Sequence, residues 1–295
     1  MDRERLFILH QCEGIGWKRI YQMLKADPTL AQIFKMKSRE LSNFFQLSEA
    51  AAEKLSRHLA SSSFKKLFDT YNNANITFIA AGDPDYPVML KSIFDPPWVI
   101  YAKGDVEYFS RTCISVVGTR KPTPYGIKST SHLLLPLIRQ GWTTVSGLAS
   151  GIDTAVHRLS LSEKQPTIAV LGHGLGMVYP DSNKFLADQI VKKGILLSEF
   201  AYHNRPKKWQ FPMRNRIISG LSPGTLIIEA QQKSGSLITA DQALEQGREV
   251  FAVPGSILEP SCSGTNTLIQ NGAKLVADFT DIVAEYPKAF SEAFS

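Results

Sequence analysis

Six short apolar runs, CISVV, TTVSG, TIAVLG, GILLSE, GTLIIEA and EVFAVPG, follow one another from about residue 111 and restrict the chain more than any other feature it carries. They are dominated by Val, Ile, Leu and Thr and lack the strict apolar–polar alternation of a strand with one wet face. A strand that is apolar on both sides needs cover on both sides. The stretches between the runs have helical length, so helices supply the cover and the strands lie parallel. The pattern predicts a doubly wound α/β domain with a mostly parallel sheet. A hydrophobic content of 43% against 20% charged residues is enough for its core.

The chain ahead of this domain reads differently. From residue 1 to about 74, apolar residues recur at helical spacing: Leu6 and Leu9; Ile20, Met23 and Leu24; Leu30, Ile33 and Phe34; Leu41, Phe44 and Phe45. Ser38 and Ser48 are expected N-caps. Gly14 and Gly16 place a tight turn before a helix, which either joins two helices or offers backbone N–H groups to a phosphate. Residues 75–110 are expected to be a connector that packs on the main domain: NITFIAAG is a short strand, and Pro87, Pro96 and Pro97 rule out one regular element after it.

Several function classes drop out. Cys12, Cys113 and Cys262 are an odd, scattered set, which is neither a disulfide framework nor a zinc site. No run approaches the ~20 apolar residues that cross a bilayer, and the acidic start MDRERLFILHQCEG is not a signal peptide. A cytoplasmic, reduced protein without membrane insertion is expected. There is no Walker A loop, no G-x-G-x-x-G opening the first helix and no H-E-x-x-H, and Ser150 in GLASG is not a nucleophile elbow. Asp153 and His157 stand four apart and are read as a helix-surface pair, with no third ligand to make a metal site. No cofactor is expected.

What remains is a set of Gly/Ser/Thr loops, one after each strand: Gly118–Gly126 with Lys121, Ser146 and Gly147 opening SGLASGID, GHGLGMVYPDSNKF, then QQKSGSLITA with Lys233, Ser234 and Ser236, and finally PGS and SGTNTLI. In an open parallel sheet the carboxyl ends of the strands share one edge, where ligands bind. These loops are therefore expected to converge. Glycine allows close backbone approach, and helix N-termini attract anions. A second signal is RPKKWQFPMRNRIISG, where Arg205, Lys207, Lys208, Arg214 and Arg216 surround Trp209 and Phe211, in a stretch without acid between Glu199 and Glu229. With a formal net charge of +6 for the chain, these features suit a long phosphate backbone, with bases stacked on Phe211 or Trp209. Arg214 and Arg216 are also read as partly fixing their own loop, and Trp209 either as a stacking ring or as core packing.

The ordered motifs SVVGTRKPTPYG, VSGLASGIDTAVHR, LGHGLGMVYPDSNKFL, FPMRNRIISGLSPGTLIIEA, SGSLITADQALEQGREVFAVPG and GTNTLIQNGAKLV resemble the DNA-processing protein A (DprA/Smf) family over about residues 80–280. The resemblance implies a helical sterile-alpha-motif-like (SAM-like) domain at residues 1–74 and an extended Rossmann-like domain at 111–295. It implies a homodimer that binds single-stranded DNA, protects incoming DNA and loads RecA recombinase during natural transformation, on DNA coated by single-strand-binding protein. It places Gly118, Arg120, Lys184, Phe211, Arg214 and Arg216 at the DNA; the dimer contact is expected around GTNTLIQNGAKLV, where Leu268 and Ile269 either meet the partner or fill the core. Some family members end in a winged helix; none is expected after TDIVAEYPKAF. No catalytic residue is implied.

A rival reading comes from SPGTLIIEA, which resembles the second half of the P-G-G-x-G-T-x-x-E signature of lysine-decarboxylase-like nucleoside-monophosphate phosphoribohydrolases. There Glu229 would be the acid that stabilises an oxocarbenium-like transition state. Leu221, Ser222 and Pro223 stand where the P-G-G-x should be, so the match reads as a shared phosphate-binding fold without catalysis.

Overall fold

The structure, a computed structural model, describes residues 2–286. The chain divides into two compact units, one made of the residues up to Tyr86 with Asp95–Tyr101, the other of Pro87–Phe94 with the chain from Ala102 onward. The segment 75–110 is thus shared between the units, and the end of the expected 111–295 domain, residues 287–295, lies outside the described residues.

The first unit holds helices α1 (Arg3–His10), α2 (Trp17–Ala26), α3 (Ser38–Phe45), α4 (Glu49–Ser61) and α5 (Phe64–Asn73), followed by strand β1 (Thr77–Ala80). The apolar positions at helical spacing turn inward: Leu6, Leu9, Ile20, Met23, Leu30, Ile33, Leu41 and Phe45 are buried, while Phe44 stays exposed. Phe7 is the aromatic centre, with ring centroids 5.2 Å from Tyr71 and 4.4 Å from Phe78. Ser48 caps α4 by accepting the Ala51 N–H. Ser38 does not cap α3 but is its first helical residue; the Glu40 carboxylate takes the N–H of the cap residue Lys37 instead. Gly14 sits at φ +87°, a left-handed turn that a side chain would strain, and Gly16 is the N-cap of α2.

In the second unit the proline-broken segment opens with a single helical turn, α6 (Val88–Lys91). Strand β2 (Val99–Gly104), read from sequence as part of the connector, runs across the boundary. Its buried Val-Ile-Tyr-Ala run follows directly after the prolines that hid it.

Strands β3 (Cys113–Val117), β4 (Thr143–Ser146), β5 (Thr167–Leu171), β6 (Ile195–Ser198), β7 (Gly224–Ile227), β8 (Glu249–Ala252) and the two-residue β9 (Lys274–Leu275) lie in the order β6-β5-β4-β3-β7-β8-β9. Every one of these pairings is parallel. The six apolar runs of the sequence are six of these strands. The direction of winding reverses between β3 and β7, which pair Ser115 with Thr225 and Val117 with Ile227.

Helices α7 (Pro124–Arg139), α8 (Ile152–Ser162), α9 (Lys184–Lys193), α10 (Gln210–Gly220), α11 (Gly235–Glu245), α12 (Ser263–Gln270) and α13 (Phe279–Val283) complete the unit. Alternation along β3 shows why both faces are apolar. Ile114 and Val116 join Leu133, Leu137 and Val156 of α7 and α8 in one core. Ser115 points the other way, its hydroxyl donating to the Ile218 carbonyl of α10. Phe251 on β8 fills the first core, stacked on Tyr286. Among the described residues no helix is long and apolar enough to cross a membrane.

Truncating Phe251 leaves a hole that its neighbours, held by two layers, cannot close. Phe251→Ala should cost about 3–5 kcal/mol of unfolding free energy. Urea denaturation checks this: a lower midpoint with an unchanged slope is expected.

Candidate nucleic-acid interface

The reversal between β3 and β7 opens a crevice at the carboxyl edge of the sheet. A cleft of about 230 Å³ occupies it, bounded by Gly118 and Arg120 after β3, Ala149 and Asp153 after β4, Phe211, Arg214 and Asn215 of α10, and Ser234–Ser236 after β7. A recess of about 60 Å³ adjoins it, sharing Arg120, Phe211 and Arg214 and adding Gly147, Ser150, Tyr179 and Pro180. The expected convergence of loops therefore holds for those after β3, β4, β5 and β7.

Arg214 forms the floor. Its Nη1 donates to the Gly147 carbonyl at 2.6 Å and also to the Val170 carbonyl. Gly147 must be glycine for this approach, since a Cβ there would stand 2.2 Å from Nη1. Asp153 lies beside the same loop and accepts the N–H groups of Gly147 (3.1 Å) and Ala149 (3.3 Å). Burial pushes the Asp153 carboxyl up and draws Arg214 down to about 10, with each partly restoring the charge of the other.

Arg120 is the opposite case. It is exposed at the cleft, and its positive charge acts on Arg214. None of the ion pairs or side-chain hydrogen bonds among the described residues engages its guanidinium. The cleft lining thus carries two guanidiniums and one carboxylate, a net positive charge that suits an anion. Across the crevice, the Ser234 hydroxyl caps α11 by accepting the Ser236 N–H. Gly235 and Ser236 open that helix at the cleft wall, where the helix dipole is positive. Phe211 lies over Gly172, its ring 6.0 Å from the half-exposed Tyr179.

Of the residues singled out from sequence, the structure brings together Gly118, Arg120, Gly147, Phe211, Arg214, Ser234 and Ser236. Lys121, Lys184 and Lys233 are exposed and do not line the cleft. Ser146 is buried in the sheet, its hydroxyl donating to the Val116 carbonyl. Arg216 is buried too, with Nη2 on both Glu199 oxygens at 2.5 and 2.6 Å. Trp209 is 54% exposed, with one edge against Phe200. Leu268 is buried within its own chain, and Ile269 is half-buried.

The reading of Asp153 and His157 as a helix-surface pair is corrected. Both are buried, because α8 packs this face on the sheet; His157 Nδ1 pairs with the Thr167 hydroxyl at 2.7 Å. Sequence also passed over Asp153 as the residue that shapes the loop, and over Tyr179, Pro180 and Asn215 in the lining. The hint for Asp153 was its place just inside a helix behind a Gly-Leu-Ala-Ser-Gly loop. Among the described residues no cluster of three or more His, Cys, Asp or Glu side chains could hold a metal.

Glu229, the acid of the rival reading, is fully buried and lies outside this cleft lining. Its carboxylate accepts the Thr123 N–H at 2.9 Å and the Thr123 hydroxyl at 2.6 Å, fixing the start of α7.

Comparison with known proteins places these features in a family. The model of the family described as DNA recombination-mediator protein A matches residues 77–287. The chain is 46% identical over 275 residues to DNA processing protein DprA of Bacillus subtilis, covering 92% of this chain and 89% of that one. The X-ray structure of DNA processing protein A from Streptococcus pneumoniae superposes with a TM-score of 0.84 at 33% identity, over 97% of this chain and 99% of that one. A structure of DNA processing protein A from Helicobacter pylori, described as giving insight into that protein's unique single-stranded DNA binding mode, has a TM-score of 0.65 at 27% identity. It covers 75% of this chain and 97% of that one.

Burial beneath the site has a pH signature. An unfolded histidine titrates near 6.5, whereas desolvation holds His157 down to about 3 in the fold, so between these values the unfolded chain binds a proton that the folded chain refuses. The contribution is fully present above pH 6.5 and is lost as pH falls toward about 3. His10 acts alike, held down to about 4, and the raised Asp153 carboxyl acts in the opposite sense. Thermal melts across this range should show stability falling with acid, and His157→Gln should flatten the fall.

Proposed function

We propose a function from one premise: this chain belongs to the DNA recombination-mediator protein A family. It is a single-stranded DNA-binding protein that protects incoming DNA and loads a RecA-type recombinase during natural transformation. The observation that carries the binding step is the unpaired, exposed Arg120 guanidinium beside the buried Arg214, in a cleft walled by the α11 N-terminus. A guanidinium there holds a phosphate through two parallel N–H bonds. Arg214 and Asp153 hold the backbone that shapes the cleft, and Phe211 with Tyr179 offers rings to an unpaired base. The recombinase step, with DNA coated by single-strand-binding protein as its substrate, rests on family membership.

Lys121, Lys184 and Lys233, together with the exposed Arg205 and Lys208, supply further phosphate contacts along the strand outside the cleft. Arg216 serves through Glu199 rather than by touching DNA. The engagement of Glu229 by Thr123 supports a binding protein over a nucleotide hydrolase. The helical first unit is assigned the SAM-like role, and the second unit the DNA-binding role. A homodimer forms through the 264–276 segment, with the partly exposed Ile269 at the contact and Leu268 packed behind it.

Titration of single- and double-stranded oligonucleotides of one length should favour the single strand, with log affinity falling by ~0.7 per log unit of salt for each phosphate neutralised. Arg120→Glu should abolish binding and Arg120→Lys weaken it, because Lys cannot copy the bidentate grip, while thermal stability barely moves. Equal affinity for duplex, or release of free base from nucleoside monophosphates that Glu229→Gln removes, would overturn this reading. Light scattering should find a dimer that Ile269→Glu dissociates without unfolding. Stimulation of strand exchange by a recombinase on coated single strands tests the loading step.

A further inference from the structure

The combination that marks residues 205–216, cations interleaved with rings in an acid-free stretch, occurs a second time. Between Glu13 and Asp27 there is no acid, and Trp17 and Tyr21 stand among Lys18, Arg19 and Lys25. Helical periodicity puts Trp17, Tyr21 and Lys25 along one side of α2 with Lys18 next to them, away from the buried Ile20 and Met23. Nothing in the proposed cleft uses these residues.

Three rings here form one continuous stack. Tyr21 lies on Trp17 with centroids 5.4 Å apart and planes within 6°, and Trp17 lies on Trp98 at 5.6 Å and 22°. The two indoles are tied into the fold, since Trp17 Nε1 donates to the Pro96 carbonyl at 2.7 Å and Trp98 Nε1 to the Trp17 carbonyl at 3.1 Å. Tyr21 is not tied. It is 46% exposed, and among the described residues its hydroxyl bonds to nothing and no ring covers its outer face. Lys18 and Lys25 are exposed and make no ion pair among the described residues, whereas the nearby Glu13 is neutralised by Lys54 at 2.6 Å. A stack that stops at an open ring between two unpaired lysines lacks its last layer. The layer that fits is flat, apolar on its face and joined to negative charge. A base of a single strand has that chemistry; the bases of a duplex have their faces covered by their neighbours.

We propose that Tyr21, backed by Trp17 and flanked by Lys18 and Lys25, is a second contact for single-stranded DNA, on the helical unit. One base stacks on Tyr21, and the phosphates on either side of it meet the two lysines. The inference rests on the reading that this chain binds single strands at the Arg120 cleft, and it adds a separate site.

The test uses the full chain with long oligothymidylate. Irradiation of a 5-iodouracil-substituted strand should leave an adduct on the tryptic peptide Ile20–Lys25, found by mass spectrometry. Tyr21→Ala should weaken binding about tenfold, the loss of one stacked base, and Tyr21→Trp should retain it. Lys18→Glu with Lys25→Glu should shallow the salt dependence by ~1.4 log units per log unit of salt, two phosphates' worth. Circular dichroism melts confirm that each variant folds. If Arg120→Glu abolishes binding while Tyr21→Ala and the lysine pair leave it unchanged and no adduct forms on 20–25, the cleft stands and this site is refuted. If the wild type binds no single strand, both readings fall.

Discussion

One buried guanidinium holds the carboxyl edge of the sheet together. Arg214 reaches from α10 to the carbonyls that end β4 and β5, and Asp153 from α8 holds the N–H groups of the same β4 loop. The ends of β4 and β5 are therefore tied to α8 and α10 through one buried guanidinium and one buried carboxylate. Burial is unfavourable for each charge alone, and it is tolerated because both are hydrogen-bonded and each favours the charged form of the other. The geometry has no spare room: a side chain at Gly147 would displace the guanidinium, and one at Gly151, at φ +84°, would strike the Thr119 carbonyl just before Arg120. Loops that would otherwise be mobile connections thereby become rigid walls.

That rigidity gives Arg120 its meaning. A lone exposed arginine is ordinary on a protein surface. Here it sits where the winding of the sheet reverses, next to a second cation already committed to backbone carbonyls and opposite a helix N-terminus. The backbone that carries Arg120 is held before a ligand arrives, so only its exposed side chain remains to be ordered. The same principle separates Arg120 from Arg216. Both are arginines in glycine-rich or basic stretches, yet Arg216 is spent on Glu199 inside the protein.

The aromatic residues divide in the same way. Phe7, Tyr71, Phe78 and Tyr101 pack edge and face in the interior of the helical unit, and Trp142, Phe251 and Tyr286 do so beside the sheet. Tyr179, Tyr21 and Trp209 instead keep about half of their surface in water while resting on another ring. An exposed ring resting against a second ring loses little freedom when a flat ligand covers it, which makes such pairs good platforms.

The sequence by itself determined the class of the second unit, because strands apolar on both faces admit no arrangement except a sheet covered on both sides. It also determined that the loops after those strands would share one edge, since parallel strands joined by helices must end on the same side. Periodicity alone was enough for the buried stripes of the first unit. Tertiary structure decided everything that depends on which side of a helix meets what. Asp153 and His157 looked like a surface pair because their spacing marks one face of a helix, but spacing cannot say whether that face meets water or a sheet. Arg214, Arg216 and Trp209 belong to one basic-aromatic stretch, yet one forms the cleft floor, one is paired inside the protein and one lies half-exposed. Charge and ring content are written in the chain; burial, and with it the choice between a partner inside the protein and one outside, comes from residues 10 to 67 positions away that only the fold brings near.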